Sequence, residues 1–307
     1  MPETNHSDKP DIQYNKLIDV EKLIAGKSPR LARLLPRFVI RYLKRIIHED
    51  IINKHLHDHR DYYGLDFVNA SLDHFGVRLI VHGLEHLDTE DRILVAANHP
   101  LGGLDGLGLM AAVGLKKPDL VFPVNDLLLY LPNLRDWFVP VNKHGTHPKE
   151  AVKFLEEVMA SEKTVLYFPA GLVSRRRRGI IADLEWKKTF VTKAKKYKRK
   201  IVPVYIDGEN SKFFYNLANL RKFLRIKTNI EMLYLVDEMY KQYNKEINIF
   251  IGKPMQNNDL PAGMKDEELA SHIRSLVYNL PFSSMFDDHN KHVVHYKLST
   301  STHATTD

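Results

Sequence analysis

The spacing of apolar positions changes character near residue 78. Upstream, apolar residues recur at three- and four-residue steps, the period of a helix buried on one face. Residues 17–25 carry a short pattern of this kind, stopped by Gly26. Pro29 opens a longer one, in which Leu31, Leu35, Phe38, Tyr42 and Ile46 share a face and Pro36 is expected to introduce a kink. Residues 61–75 read as another helix. From residue 78 the apolar runs become short, rich in Val and Ile, and apolar on both faces, as in strands covered on both sides. They predict strands at 78–82, 92–97, 120–124, 164–168, 201–206 and 247–251, with helical patterns at 107–115, 148–161, 185–200 and 212–239. Alternating strands and helices predict an α/β fold, a mainly parallel sheet flanked by helices, over residues 76–255. A last helix at 266–280 follows a link rich in Pro, Gly and Asn. The polar ends, 1–14 and 285–307, read as disordered. The expected organisation is an N-terminal helical segment (1–75), the sheet domain (76–255), and a C-terminal helix with its tail (256–307).

Charge refines this picture in two places. Arg30, Arg33, Arg37, Arg41, Lys44 and Arg45 flank the apolar stripe of residues 29–46. A stripe with basic shoulders suits a helix lying in a membrane interface; it equally suits a helix packed on a protein core with a solvated basic side. The net charge of +7 is concentrated in 27–54 and 175–200, which allows nucleic acid, anionic lipid or an acidic carrier as a partner. The absence of cysteine excludes disulfides, zinc thiolates and cysteine nucleophiles, and fits a reducing compartment. The first ten residues lack a signal-peptide layout, and no apolar run approaches the roughly 18–20 residues of a spanning helix. The expectation is a soluble chain or one that rides on a membrane surface. His55 and His59 lie one helical turn apart, but no ligand at supporting spacing follows nearby, so they read as a polar helix end rather than a metal site.

The candidate chemistry sits in three loops that follow strands. The first is Asn98-His99-Pro100-Leu101-Gly102-Gly103-Leu104-Asp105, between an apolar run and a helical pattern. Ligands bind at the carboxyl ends of strands in open α/β sheets, so this is where a site is expected. Pro100 fixes the turn, Gly102 and Gly103 allow close approach, and Asp105 falls near a helix N-terminus that favours a carboxylate. Either residue alone has a plain reading, a turn histidine or a helix-capping aspartate. As a pair, the carboxylate would fix the imidazole tautomer and leave its other nitrogen as a general base. The second loop, Phe168-Pro-Ala-Gly-Leu-Val-Ser174, ends in four arginines, 175–178. A guanidinium cluster there would bind phosphate or carboxylate; the alternative is a solvated basic loop. No aromatic residue is interleaved in the run, so base stacking has no platform and nucleic acid is not expected. In the third loop, 138–145, Lys143 is either a point charge for a phosphate or a surface lysine.

These loops, in this order, resemble the glycerolipid acyltransferase family, whose best-known members acylate lysophosphatidic acid (the PlsC type). The blocks that carry the resemblance are Asn98-His99 to Asp105, Val139 to Lys143, Phe168 to Ser174, and Ile201-Val-Pro-Val204. The family's first motif has four residues between His and Asp, where this chain has five. Its third block, F-P-E-G-T-R-S, has Ala170, Leu172 and Val173 here in place of Glu, Thr and Arg, and its second-block Arg is Lys143. The pattern is closer to the branch labelled as hemolysins, which includes O-acyltransferases that complete ornithine- and glycine-type aminolipids.

The resemblance implies acyl transfer from acyl-ACP or acyl-CoA to the hydroxyl of a lyso-lipid, at the cytoplasmic face of a membrane to which the chain binds peripherally. It implies no metal and no cofactor. His99 would be the base and Asp105 its partner. Asn98, Gly102, Gly103, Lys143, Gly171, Ser174 and Arg175 would contact substrate. Backbone N–H groups of the Gly102-Gly103 loop would stabilise the oxyanion. Arg175 and its neighbours would recognise an acidic head group, so that Arg175→Ala weakens acceptor binding. The alternatives are a lysophosphatidic acid acyltransferase proper, or an inactive lipid-binding protein.

Overall fold

The computed structural model describes residues 16–89, 91–124, 128–140, 148–284, 286 and 291–294, without the side chains of 27, 31 and 148–152. The chain divides into two units, residues 1–60 and 61–307.

The first unit holds four helices: α1 (Val20–Lys27), α2 (Pro29–Leu34), α3 (Arg37–Ile46) and α4 (Glu49–Asp58). Pro36 ends the pattern that was expected to kink there: it precedes α3 as its N-cap, because it offers no N–H to continue α2. Two buried polar residues of α4 hold the unit together. The Glu49 carboxylate accepts from Val20 N at 3.0 Å and Lys16 Nζ at 2.9 Å, and Asn53 bonds both polar backbone groups of Ile18. The apolar stripe divides in two: Ile46 is buried, while Phe38 and Tyr42 are exposed. His59 caps the end of α4, as expected for a polar helix end.

The second unit is built on an eight-stranded sheet in the order β10-β1-β9-β8-β2-β5-β3-β4. The strands are β1 (Arg78–His82), β2 (Ile93–Ala97), β3 (Leu120–Val124), β4 (Phe138–Pro140), β5 (Thr164–Tyr167), β8 (Lys200–Ile206), β9 (Glu246–Ile251) and β10 (Lys291–Val293). A separate hairpin contains β6 (Arg175–Arg177) and β7 (Ile180–Ala182). From β8 to β4 every pairing is parallel; β9 runs antiparallel to β8, and β10 antiparallel to β1. All five residues of β2 are buried, which is why it reads as a continuous apolar run.

Helices cover both faces. On one side α6 (Gly103–Gly114) is buried along most of its length and packs with α5 (Gly64–His74). Gly108 brings α6 close to the sheet, where an added Cβ would sit 3.5 Å from Leu79 and 3.4 Å from Ile249. On the other side lie α7 (Pro148–Ala160), α8 (Thr189–Lys196) and α11 (Asp266–Asn279). There Leu94, Ala96, Ile201, Phe190 and Ile273 belong to one apolar core.

The helix at 64–74 lies in the second unit, and the C-terminal helix presents Leu269, Ala270, Ile273 and Val277 to the sheet core. Two expectations need correction. The pattern over 212–239 is interrupted: α9 (Lys212–Phe223) ends before Arg225, which is left-handed (φ +57°), and a 3-10 turn (Ile230–Tyr234) leads into α10 (Leu235–Tyr240). Residues 291–293 form the edge strand β10, within a tail expected to lack order. The rest of that tail, 285, 287–290 and 295–307, lies outside the described residues, as do 1–14. Among the described residues no helix is long and apolar enough to cross a membrane.

Candidate active site

His99 stands just past the carboxyl end of β2, the strand between β8 and β5. Asn98 fixes where the loop begins. Its amide donates to Ile206 O at 2.9 Å and accepts from Ile206 N at 2.6 Å, which extends the β2–β8 pairing by one side chain. The next residue is held on every side. His99 N donates to Asp183 Oδ1 at 3.1 Å, its carbonyl accepts from Ser174 N at 2.8 Å, and its ring stacks on Phe168 with centroids 4.1 Å apart. Nδ1 lies 2.9 Å from Asp105 Oδ2. The His99 side chain keeps 19% of its surface exposed, while Asp105 has none.

Asp105 sits in the first turn of α6 and serves two ends. Oδ2 accepts from Leu101 N at 2.8 Å and Gly102 N at 2.9 Å, the orphan donors at a helix start, as well as from His99. Because Oδ2 meets three donors, it acts as an acceptor and Nδ1 carries the imidazole proton. Nε2 is then the ring nitrogen that can take one. Burial pushes the Asp105 carboxyl above its ordinary pKa, although His99 and the two loop amides pull it down.

The glycines of this loop make room for protein. Gly102 adopts φ +91° and ψ −121°, a region open to glycine alone. A Cβ on Gly103 would lie 2.6 Å from Met239 Sδ, and one on Gly102 3.2 Å from Leu235 Cδ2. The segment 208–240 thus forms a wall of the loop, and Asn210 Nδ2 ties it to Pro100 O at 3.0 Å. Gly102's N–H is directed at Asp105, so the oxyanion role expected of it meets a donor already engaged.

After β5 the chain turns at Gly171 (φ +65°), whose N–H donates to Phe168 O at 3.0 Å. Ala170 lies in the large core, and Val173 packs with Phe214 and Tyr215. Ser174 is 1% exposed and donates through Oγ to Asp183 Oδ1 at 2.6 Å. The arginine run is one arm of a hairpin rather than a solvated loop. The Arg175 guanidinium is buried against Glu231, 3.0 Å away, and also bonds its own chain at Val173 O. Glu231 is fully buried and takes Arg221 as a second cation at 2.9 Å. A head group would therefore have to compete with this ion pair for Arg175. Arg177 and Arg178 are exposed near the turn. Lys143 lies outside the described residues, within 141–147.

One residue has no signature in the sequence. Asp183, 4% exposed, accepts from His99 N and Ser174 Oγ through Oδ1 and from Trp186 Nε1 through Oδ2 at 2.9 Å. Its own N–H donates to Tyr278 Oη at 2.8 Å, and its carbonyl accepts from Arg274 Nη2 at 2.7 Å. It links the His99 backbone to β7 and α11. The nearest hint is its position after the third block, ahead of Trp186. The second basic region also turns partly inward: Arg199 is buried beneath the end of α7, donating to carbonyls that include Met159 O at 2.9 Å and Lys163 O at 2.8 Å, and burial lowers its pKa to about 10.

The site is thus an imidazole with one nitrogen fixed by a buried carboxylate and the other available as a base, at the carboxyl end of a central strand. The chain is similar to known proteins in sequence and in fold. The chain is 42% identical to a lyso-glycine lipid O-acyltransferase of Bacteroides thetaiotaomicron, over 86% of this chain and 97% of that protein. It is 41% identical to a protein of the same name from Phocaeicola vulgatus, over 86% and 95%. It is also similar to the crystal structure of the 1-acyl-sn-glycerophosphate acyltransferase PlsC from Thermotoga maritima, with a TM-score of 0.42 and 17% identity over 86% of this chain and 94% of that one. The family model described as acyltransferase matches residues 22–285, most of the chain, which therefore belongs to the acyltransferase family.

Proposed function

We propose that this acyltransferase moves a fatty acyl group from a thioester, acyl-ACP or acyl-CoA, to the hydroxyl of a lyso-glycine lipid, with His99 as general base. The observation that carries the reading is the His99 Nδ1–Asp105 Oδ2 contact of 2.9 Å, which leaves Nε2 for the substrate. Nε2 takes the hydroxyl proton as the oxygen attacks the thioester carbonyl. Asp105 balances the imidazolium that forms. The tetrahedral intermediate collapses, the C–S bond breaks, and the imidazolium proton neutralises the departing thiolate. General-base help of this kind is worth roughly 10²–10⁴-fold.

The acceptor class is carried over from the two curated relatives named above. The third block supports it over lysophosphatidic acid: Ala170 and Val173 stand where Glu and Arg are found in enzymes for that acceptor, and both are packed in apolar cores. The chain works peripherally at the cytoplasmic face of the membrane, with the exposed Phe38 and Tyr42 and the basic residues of α3 in the interface. Asn98, Gly102, Gly103, Gly171, Ser174 and Arg175 shape the loops that substrate meets, and Lys143 is assigned to substrate itself.

The test is incubation of the purified chain with labelled acyl-ACP or acyl-CoA and a panel of lyso-lipids. Label should pass to lyso-glycine lipid and much less to lysophosphatidic acid, and His99→Ala should abolish transfer with the fold intact. Wild-type transfer by that variant would refute the mechanism, and preferential labelling of lysophosphatidic acid would refute the acceptor.

A further inference from the structure

The helix α9 is apolar on two sides. Phe214, Tyr215 and Ala218 face inward. Outward, Phe213 is 48% exposed, Leu220 53% and Phe223 82%, and beyond the helix Leu224 is 55% and Leu233 46% exposed. Residues 222–228 are exposed without interruption. Hydration of this much clustered apolar surface is unfavourable unless something covers it.

Charge indicates what covers it. Residues 212–235 carry Lys212, Arg221, Lys222, Arg225 and Lys227, while a chain with 38 acidic residues places only Glu231 there. Glu231 is fully buried and engaged by Arg175 and Arg221. Within this stretch the outward face therefore presents apolar side chains among Lys212, Lys222, Arg225 and Lys227, with no exposed acid of its own. Large apolar side chains at headgroup depth with basic residues beside them match an anionic lipid surface. The neighbouring hairpin has the same character: its turn exposes Arg177, Arg178 and, at 70%, Ile180, and Arg176 bonds Asn216 of α9.

We infer that the outward face of α9, with the exposed residues 222–227, is a second membrane seat that lies in the anionic interface and holds the catalytic loop at the depth of the acceptor's hydroxyl. The connection to the site is short. The segment that carries this face is the one that walls the loop, through Asn210 on Pro100 and through Leu235 and Met239 against Gly102 and Gly103. This rests on the peripheral-membrane reading above, and adds to the N-terminal helices a contact made by the catalytic unit itself.

The experiment is co-sedimentation of the full chain with phosphatidylcholine vesicles, with and without phosphatidylglycerol, run beside two activity assays. In one the lyso-lipid is embedded in the vesicles; in the other it is dispersed in detergent. Phe223→Ser/Leu224→Ser should bind anionic vesicles at least about tenfold more weakly, since each side chain loses most of an apolar burial. It should lose a similar factor on vesicle-borne acceptor while staying within about twofold of wild type on detergent-dispersed acceptor, because neither residue touches the site. Lys222→Ala/Arg225→Ala/Lys227→Ala should lose about fivefold per charge on anionic vesicles and little on neutral ones. Phe38→Ser/Tyr42→Ser, in the first unit, reports the N-terminal seat separately. Wild-type chain that binds no vesicle would overturn the membrane reading and this inference with it. Wild-type binding that the Phe223 and Leu224 substitutions leave unchanged would overturn this inference alone. A raised KM for acyl-ACP with unchanged vesicle binding would make the face a protein-docking surface instead.

Discussion

Replacing Asp105 by Asn separates two services that a carboxylate can render to a catalytic histidine. One is orientation, the other is charge. Where histidine is the carboxylate's main donor, an amide can turn its NH₂ toward the ring and impose the wrong tautomer. Here the geometry prevents that. Oδ2 accepts from His99 Nδ1, Leu101 N and Gly102 N, whereas Oδ1 is buried and has no hydrogen-bond partner among the described residues. An Asn must put its oxygen where three N–H groups converge, so Nδ1 keeps its proton and Nε2 stays free for the role proposed for it. What is lost is the negative charge beside the imidazolium. At a charge separation of about 4 Å and an effective dielectric of about 20, that charge is worth about 4 kcal/mol, or about a thousandfold in rate. Stability should hardly fall. The amide leaves one buried donor unpaired, at about 1–3 kcal/mol, but it also removes a buried carboxylate whose pKa desolvation has raised. The sign of the pH dependence follows from that raised value. The folded state holds the Asp105 proton more tightly than the unfolded chain, so the wild-type fold loses stability as pH rises through the folded pKa, and Asp105→Asn should gain on wild type from acid to neutral pH. The assays are kcat from thiol release, denaturant midpoints at several pH values, and the ¹⁵N tautomer of His99. A kcat within tenfold of wild type would refute the role of charge, and a switch of the proton to Nε2 would refute the geometric argument.

Asp183→Asn must oppose its NH₂ to Trp186 Nε1–H or to the His99 and Ser174 donors; it should cost about 2–5 kcal/mol in urea unfolding and lower kcat more than it raises KM, and full activity in a variant of wild-type stability would discard the positioning role. Arg175→Ala strips a buried cation from Glu231, so about 3–5 kcal/mol of stability should be lost while the folded fraction keeps its acceptor KM; a tenfold higher KM at unchanged stability would return Arg175 to the substrate. Burial raises Tyr215 to about 12. Its contribution to stability is therefore complete below the unfolded value of about 10 and is lost as pH rises through 12, up to about 2–3 kcal/mol; urea midpoints that stay flat over that range, once compared with Tyr215→Phe, would contradict it.

The strands around the site were legible because each is a short apolar run covered on both faces, and β2 is the clearest case. The contact between His99 and Asp105 was legible because a helix start, a proline turn and two glycines leave few places for them to go. Three-residue strands such as β4 and β10 are shorter than any period that could reveal them. The break after α9 was hidden because residues 224–227, Leu-Arg-Ile-Lys, keep a helical composition while Arg225 turns left-handed. Asp183 was hidden for another reason. Its five partners come from the loops after β2 and β5, from Trp186, and from α11, and no local pattern encodes a contact that only the folded sheet brings together.

The same distinction bears on how an acceptor is selected. A motif marks the residues a site needs without saying which of them face substrate. Asn98 has both ends of its amide on Ile206, Ser174 has its hydroxyl on Asp183, and Arg175 has its guanidinium on Glu231. Each could engage a head group only by releasing a buried partner, at about 1–3 kcal/mol for a neutral group and more for an ion. Rigidity is what these residues supply, and it favours the reacting geometry over any one acceptor. Selectivity must then come from groups free to meet a head group at the mouth of the site. The third block withholds one such group by placing Val173, where the family pattern has Arg, in an apolar core, where a phosphate finds no donor. On the proposed function, an acceptor whose head group makes no demand on that position loses nothing by the substitution, whereas lysophosphatidic acid would forfeit a guanidinium for its phosphate there.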